Sequence, residues 1–528
     1  MSQVRNRVCR LILQENFGSA VAKVGIFLLE KGPSPIRYIL SECHDSSEEV
    51  KKILCVLIQH NMVTFEKNKK GFIEYTIDGE SIMYRLRFIR YIYCAKTLYG
   101  DAAELLIEEL LQRGKMLMSE VITSVTGRLN EALEASGKPA IQESLVKDKF
   151  TNLVKSHFVQ RCPSPLLKEN RVVGTETTEN EEDLFKIPDI RKRKKSINED
   201  MPAAKRHKSE EGSSTQEKAD DDGIYWRVNC QRFHQLIRDQ IIVEAINKKI
   251  DMRASEILRT IFRLSETRTA PMALSTNAVS AAEILHALPK ELGVDRKLLD
   301  TYLSIITDDS TDFVMKVGDS GGGMFSVNMY KCMLQLTKAH IESVVQERFG
   351  SKSLRIFRLL LLKKHLEQKQ IEDFAMISAK EAKELLYMMF SQNFVSITEI
   401  SKTADHAPSR TYYIFTVDIH QVARMVLERC YKAIFNAMLK RIAELTEHRR
   451  LLEKQERCDA IIASLVQGGA EDEQKEEIEQ TITPPERELI KRVKRTVQML
   501  DQSEIQIEEA IFVLETFLFY KRLNTAQK

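Results

Sequence analysis

Apolar residues recur at helical spacing in two widely separated stretches of the chain, and the two stretches match each other. SSEEVKKILCVLIQHNMV (residues 46–63) aligns without a gap with SAKEAKELLYMMFSQNFV (residues 378–395). Both begin with a serine that is followed three residues later by a glutamate, the pattern of an N-terminal capping box. Both end near an asparagine, which tolerates the left-handed conformation that commonly terminates a helix. The pattern therefore predicts the same helix at both places.

Alternating apolar and polar residues follow each of these helices and predict a pair of strands. The first pair is MVTFEK and FIEYTID across the turn NKKG, and the second is FVSITEI and TYYIFTVD across a longer loop. A long amphipathic helix (FGSAVAKVGIFLLEKG or FGSKSLRIFRLLLLKK) and a shorter helical segment precede each copy. The order helix, helix, helix, hairpin describes a winged helix, a helix-turn-helix variant whose third helix and wing can reach DNA.

Two further copies are predicted between these two. One begins at DAAELLIEELLQRG and ends at SLVKDKFTNLVKSHFVQRC, and the other has LLDTYLSIIT as its third helix. After residue 418, Leu and Ile recur between charges in long helices, as in an antiparallel coiled-coil hairpin. We therefore predict a mainly α-helical fold with small β-wings. The predicted domains are winged helices at residues 1–98, 99–162, 223–335 and 336–420, a linker at 163–222 and a coiled-coil hairpin at 421–528.

The predicted linker has acidic clusters, two basic clusters and a single aromatic residue, Phe185. Such a composition cannot bury enough apolar surface to order itself. The two basic clusters resemble a bipartite nuclear localisation signal, although a merely solvated run of charge is the alternative. Ser196 lies beside the first cluster and three residues before Glu199, which predicts phosphorylation by an acidic-directed kinase. The basic clusters consist of Arg191, Lys192, Arg193, Lys194 and Lys195, and of Lys205, Arg206 and Lys208.

Composition excludes several classes of protein. The formal net charge of the 528 residues is only +3, so no global field would steer the chain onto DNA or an anionic membrane. None of the nine cysteines forms a C-x-x-C pair, so neither a zinc ribbon nor a disulfide framework is predicted. No secretory signal and no apolar run long enough to span a bilayer is found. We expect a soluble intracellular protein.

The stretch GDSGGGMFSVN raises the question of whether Ser320 is a protease nucleophile, because GDSGG surrounds the catalytic serine of chymotrypsin-like proteases. That site needs a histidine base and an aspartate on a double β-barrel. The upstream histidines, such as His286 in AAEILHALPK, lie in helical rather than strand-rich sequence. We predict that Ser320 lies in a wing-tip turn. No motif for catalysis, a cofactor, a metal or a small-molecule substrate is found, so we expect a non-enzymatic protein.

A candidate DNA contact lies at the first wing and the helix that follows it. The segment RLRFIRYIY interleaves cations with Phe88, Tyr91 and Tyr93, an arrangement that suits unpaired strands because bases stack on aromatic faces. The alternative is that these aromatic residues are core residues between the first two modules. The candidate contact residues are Lys67, Lys69, Lys70, Arg85, Arg87 and Arg90.

Longer segments carry a resemblance to a known family. RYIYCAKTLYGDAAELLIEELL, DDGIYWRVNCQRFHQLIRDQ, SVVQERFGSKSLRIFRLLLLKKHLEQKQIEDFAMISAKEAKELLY and DHAPSRTYYIFTVD resemble, in order, the third subunit of eukaryotic RNA polymerase III. The resemblance implies a nuclear, peripheral polymerase subunit that forms a heterotrimer with two other polymerase III subunits on the clamp of the largest subunit. It further implies a role in initiation and promoter opening at 5S rRNA and tRNA genes, with contacts to initiation factor IIIB and to single-stranded or melted promoter DNA.

The family is related to the alpha subunit of general factor IIE, but this chain lacks the cysteine pairs of a zinc ribbon. A free-standing winged-helix regulator is the alternative function. Such a regulator should have basic recognition helices, whereas the third helix of the first copy mixes Glu48 and Glu49 with Lys51 and Lys52. The balanced charge favours the polymerase subunit.

Overall fold

The fold is known from a computed structural model. It describes residues 2–43, 46–68, 71–135, 137, 139–162, 165–168, 171–175, 183–187, 223–266, 268–401, 411–467, 478 and 481–526. The chain divides into two compact units, one of residues 12–236 and one of residues 1–11 with 237–528. The first unit contains the first two winged helices, and the second contains the other two winged helices and the C-terminal hairpin.

The first module is a winged helix around a buried apolar core that includes Val24, Leu28, Ile39 and Leu57. The capping box predicted at Ser46 is present: Ser46 Oγ accepts a hydrogen bond from the Glu49 amide at 3.2 Å, and Glu49 Oε2 accepts one from the Ser46 amide at 3.2 Å. The capping box predicted at Ser378 is not formed, because the Ser378 side chain makes no capping hydrogen bond. Its elements are helices Gln3–Phe17, Ser19–Lys31, Ile36–Cys43 and Ser47–Gln59 and strands Ser34–Pro35, Val63–Lys67 and Ile73–Ile77. Short helices Gly79–Met83 and Tyr84–Arg87 and the helix Phe88–Tyr99 lead to the second module.

The second module differs from the predicted domain division. Its hairpin pairs Val159–Arg161 with Tyr225–Val228 in antiparallel register, so residues 162–224 connect two neighbouring strands of one sheet. The segment predicted as a linker between modules is therefore an insertion in the second wing, and Tyr225–Val228 belongs to this module rather than to the third. The other elements are helices Asp101–Arg113, Met118–Ala135 and Glu143–Lys155 and strand Met116–Leu117, with strands Pro165–Lys168 and Arg171–Thr175 and a short helix Asp183–Phe185 inside the insertion.

The third module has the predicted third helix, Arg296–Thr307, followed by a hairpin with the glycine-rich turn at its tip. Ser320 is exposed in that turn, as predicted. The glycines are required there by the backbone: Gly321, Gly322 and Gly323 have φ of 63°, 84° and 109°, a conformation that other residues rarely adopt. The elements are helices Cys230–Lys249, Met252–Ser265, Ala281–Ala287, Lys290–Leu292 and Arg296–Thr307 and strands Val279–Ser280, Val314–Gly318 and Met324–Val327.

The fourth module follows the long helix Met329–Lys363, which contains the predicted boundary at residue 335 and changes direction at Gly350. The core of the module includes Phe357, Leu386, Phe394 and Phe415. Its remaining elements are helices Gln368–Ala375 and Ala379–Ser391 and strands His365–Glu367, Ser396–Ser401 and Thr411–Thr416.

The four modules share one sheet topology. In each, a short strand after the first helix pairs with the second strand of the hairpin, which in turn pairs with the first strand of the hairpin. All four also have a left-handed residue before the hairpin, with φ of 58° at Asn61, 66° at His157, 52° at Asp312 and 62° at Asn393. A buried apolar residue and a buried valine follow each one, for example Phe394 and Val395. The four modules therefore repeat not only the predicted order of elements but also the backbone conformation of this one residue.

A glycine also recurs at the entry to the first helix of three modules. Gly18, Gly100 and Gly350 have φ of 90°, 87° and 85° with ψ of 171°, −174° and 176°. Essentially only glycine adopts this combination of angles. Each of the three follows an aromatic residue and separates two helices, so each lets the chain change direction without a loop.

The C-terminal segment is an antiparallel helical hairpin, as predicted. Helices Ile419–Glu447 and Arg449–Gln467 precede the hairpin turn, and Pro484–Ala526 returns. Arg441 Nη1 lies 2.9 Å from Asp501 Oδ1 and 3.1 Å from Glu504 Oε2, and Lys454 Nζ lies 2.9 Å from Glu486 Oε2. The cation later in the chain, Lys454, pairs with the earlier acidic residue, Glu486, so the two helices run antiparallel.

Candidate nucleic-acid interface

The described residues beside the tip of the first wing, Lys67, Gly71 and Phe72, are exposed. Val63–Lys67 pairs with Ile73–Ile77, and Lys67 is exposed at the end of the first strand. Asn68 closes the turn, because its Oδ1 accepts a hydrogen bond from the Phe72 amide at 3.1 Å and its Nδ2 donates one to Glu74 Oε1 at 2.6 Å. Lys69 and Lys70, the other two predicted contacts, lie outside the described residues. Lys67 is therefore placed where a phosphate could reach it.

Arg85 is not on the wing surface. Its guanidinium carbon lies 4.3 Å from the centre of the Phe17 ring, its Nη1 donates to Asn16 Oδ1 at 2.8 Å and its Nη2 lies 3.2 Å from His60 Nδ1. Burial lowers the pKa of Arg85 to about 10. Burial and the neighbouring Arg85 together lower the pKa of His60 to about 4, so the imidazole is neutral at pH 7 and accepts from the arginine.

Arg87 is only 4% exposed. Its Nη1 lies 3.4 Å from His234 Nε2, and the same imidazole nitrogen is 2.6 Å from the Tyr91 hydroxyl. Burial, with Arg87 as a second cause, holds the pKa of His234 well below its usual value. Arg87 thus belongs to the interior of the first unit. Because it is buried, it cannot contact a phosphate of bound DNA.

The aromatic residues between these cations divide into two groups. Tyr91 is fully buried and stacks on Phe233 with ring centres 4.9 Å apart, so for Tyr91 the core interpretation is correct. Tyr93 is 66% exposed and Phe88 is half-buried. Arg90 is half-buried on the same helix, where its charge partly offsets the raised pKa of the buried Cys94 thiol. The four predicted cations that the structure describes, Lys67, Arg85, Arg87 and Arg90, therefore do not form one exposed surface.

Three cations on the wings and helices of the third and fourth modules are paired with carboxylates. On the third wing, Lys316 Nζ lies 2.5 Å from Asp319 Oδ1, and on the third helix behind it Arg296 Nε lies 3.2 Å from Asp300 Oδ2. In the fourth module, Lys352 Nζ lies 2.6 Å from Glu381 Oε1 on the third helix. These helices and wings present balanced charge, in keeping with the mixed Lys and Glu of their sequences.

Comparison with known proteins covers nearly the whole chain. Residues 7–68 match the family described as the RNA polymerase III subunit RPC82 helix-turn-helix domain, and residues 148–336 match RNA polymerase III subunit RPC82. Residues 341–417 match the POLR3C C-terminal winged-helix domain, and residues 450–513 match the helical hairpin domain of DNA-directed RNA polymerase III subunit RPC3.

Full-length relatives decide the family. The chain is 48% identical to "DNA-directed RNA polymerase III subunit RPC3" of Bos taurus over 98% of its own length and 99% of the relative. It is 47% identical to the protein of the same name from Homo sapiens over the same shares, and 45% identical to that of Danio rerio over 97% of this chain and 98% of the relative. The chain belongs to the RPC3 family.

In this member of the RPC3 family, the first unit has a further feature that the sequence does not predict. A cavity of about 290 Å³ lies between the first two modules, and Arg85 and Arg227 both line it. Arg227 follows the insertion in the second wing, so nothing in its sequence neighbourhood relates it to Arg85. One sequence signal could have placed Arg227 in the second wing. The last strand of the first wing ends in an apolar residue followed by Asp (residues 77–78), and residues 228–229 are an apolar residue followed by Asn.

Neither a metal centre nor a membrane span is found in the described part of the chain. Among the described residues, no group of three or more His, Cys, Asp or Glu side chains is arranged to hold a metal ion. None of the helices formed by those residues combines the length and the apolar character needed to cross a membrane.

Proposed function

We propose that this chain is a peripheral, non-catalytic subunit of RNA polymerase III. The observation that carries the proposal is 48% identity, over 98% of the chain, to a protein named as a subunit of that enzyme. The balanced charge of the third helices supports assembly with proteins over independent reading of duplex sites, so a free-standing regulator is not favoured. Within the enzyme the chain joins two other polymerase III subunits in a heterotrimer on the clamp of the largest subunit and contacts initiation factor IIIB.

Affinity purification tests this assembly. An epitope-tagged copy, expressed at the endogenous level and purified from nuclear extract, should sediment with RNA polymerase III activity and bring down the largest subunit in stoichiometric amount. A tagged protein that sediments as a free species while the polymerase is intact would contradict the proposal.

The chain supports promoter opening through contact with melted DNA, and the first wing is the contact we propose. Arg87 is removed from the predicted set because it is buried, and Arg85 because it lines the cavity between the first two modules and not the wing. Lys67, Lys69 and Lys70 remain. Each lysine that engages a phosphate releases counterions, which steepens the salt dependence of binding to single strands by about 0.7 in log–log slope.

Replacing these three lysines with alanine should weaken binding to a melted-bubble probe and flatten the salt slope by up to about 2, without loss of assembly. Fluorescence anisotropy across a salt series measures both effects. The matched control replaces Lys248, Lys316 and Lys440, each of which is paired with an acidic side chain, and removes the same net charge. The first wing does not bind DNA if the salt slope flattens equally in both triple variants, or if it flattens in neither of them.

The proposed location is the nucleus, with the two basic clusters as the import signal. All of their residues, and Ser196, lie outside the described residues. Their position in a wing insertion supports this role, since the insertion leaves and rejoins one sheet and its sequence is not needed to form that sheet.

A further inference from the structure

The cavity between the first two modules of the first unit is unusual in its charge. His60 and Asn61, at the end of a third helix, form one side, Arg85 and Phe88 form another, and Gln160 and Arg227 of the second sheet close it. Among the described residues that line it, none is aspartate or glutamate. Two arginine residues therefore line one cavity, and its described walls contain no carboxylate.

Both arginines are held by neutral groups. Arg227 Nη1 donates to Asn61 Oδ1 at 3.3 Å, and its Nε and Nη2 donate to Gln160 Oε1 at 3.0 and 3.1 Å when that amide is oriented with its oxygen towards them. Arg85 is bonded to Asn16 and His60, and its buried Nε has no hydrogen-bond acceptor among the described residues. A guanidinium has five N–H donors, and the bonds named above leave one further N–H on each Nη atom of both side chains.

Such an arrangement is costly unless an anion completes it. A half-buried charge loses part of its hydration, and without an opposite charge nearby no attraction compensates for that loss. The neutral His60 imidazole does not supply an opposite charge. Arg85 and Arg227 are nevertheless fixed by packing and by amides, so their geometry is set before any ligand arrives. Preorganised forks of this kind recognise carboxylate and phosphate in a bidentate manner.

We propose that this cavity binds the carboxylate of an acidic side chain presented by another protein. The apolar part of its wall, which includes Met62, Leu110 and Leu111, suits the aliphatic stem of a glutamate, while the arginines take the carboxylate. A backbone phosphate of a nucleic acid is flanked by two sugars and needs an open groove, whereas a side chain enters a cavity end-on. The site would bind carboxylates whether or not the chain assembles with a polymerase.

The test uses the full-length chain with ¹³C-methyl methionine, because Met62 lines the cavity and is 2% exposed. Its methyl signal is assigned with a Met62→Leu variant. Titration with N-acetyl-glutamate amide should shift the signal saturably, and N-acetyl-glutamine amide, in which an uncharged NH2 group replaces one carboxylate oxygen, should not. Arg227→Gln should weaken the binding by roughly tenfold or more, the cost of a charge-assisted hydrogen bond.

Arg161→Gln is the matched control. It removes the same charge from the same sheet, but Arg161 lies beside the Trp226 ring and does not line the cavity, so binding should be unchanged. If Arg227→Gln does not fold, Arg227→Lys tests the proposal instead. Lysine keeps the positive charge but lacks the two parallel N–H donors of a guanidinium, so this variant should bind the glutamate compound more weakly than wild type. The proposal is wrong if both blocked amino acids shift Met62 alike, or if Arg161→Gln weakens binding as much as Arg227→Gln. It is also wrong if a single-stranded oligonucleotide, rather than the glutamate compound, moves the signal in an Arg227-dependent way.

Discussion

Two glycines of the first unit should respond to the same substitution with opposite signs. Gly100 lies between the helices Phe88–Tyr99 and Asp101–Arg113 with φ 87° and ψ −174°, whereas Gly127 lies inside the helix Met118–Ala135. A Cβ added at either position would meet no atom within 4 Å. Steric clash therefore contributes nothing at either site, and only the backbone conformation distinguishes them.

The magnitudes follow from that conformation. A non-glycine residue at the Gly100 angles costs about 1–3 kcal/mol, and the reduced entropy of the unfolded chain returns about 0.4–1 kcal/mol. Gly100→Ala should therefore lower the free energy of unfolding by about 1.5 kcal/mol. Gly127→Ala should raise it by about 0.5–1 kcal/mol, because alanine is favoured over glycine in a helix interior.

The single tryptophan makes the measurement specific to this unit. Trp226 is fully buried in the sheet of the second module, so its fluorescence reports on the unit of residues 12–236. With an m-value of about 3 kcal/mol per molar urea, the midpoint should fall by about 0.5 M in Gly100→Ala and rise by about 0.25 M in Gly127→Ala. An unchanged or raised midpoint for Gly100→Ala at constant m-value would refute the reasoning that glycine is required there.

Three further outcomes are expected. The Trp226 midpoint should fall as pH is lowered from about 6.5 towards 4, because His60 is neutral when folded with a pKa of about 4 and takes up a proton when unfolded; His60→Gln should show a shallower fall, and an identical pH profile would exclude this histidine as a cause. Ser320→Ala should change the free energy of unfolding by no more than about 0.5 kcal/mol, and a fluorophosphonate probe should not label Ser320; labelling would overturn the wing-tip assignment. Alanine in place of both basic clusters should slow nuclear entry of a fluorescent fusion, with Ser196 phosphorylation detected by mass spectrometry in wild type; normal entry would remove the import claim.

Local signals in the sequence are sufficient to predict most of the fold. The capping box at Ser46 and the left-handed asparagines at 61 and 393 act over a few residues, so they can be read without knowledge of tertiary contacts. The antiparallel hairpin is predictable for the same reason, since apolar spacing within each helix determines its packing face.

The pairing in the second wing is not predictable in this way, because its two strands are far apart in the chain. The pairing of Val159 with Val228 is a non-local contact, and no periodicity within either three- or four-residue strand indicates its partner. The prediction for the arginines fails for a different reason. Alternating cations and aromatics look the same whether the rings stack on bases or pack in a core, and only the burial of Tyr91 against Phe233 distinguishes the two.

The wing insertion has a consequence for how this unit tolerates change. Residues 162–224 leave one strand and re-enter its neighbour, so the sheet itself holds both ends of the segment in place. The entropic cost of closing such a loop rises by only about 0.6 kcal/mol for each doubling of its length. Residues can therefore be added to the segment at small cost in stability, provided that Arg171–Thr175, which lies beside the first strand of the first wing, and Phe185, which stacks on His157 with ring centres 3.8 Å apart, are kept. A protease cut there would leave two fragments that remain associated through the buried strand, so a nicked molecule should still elute as one species.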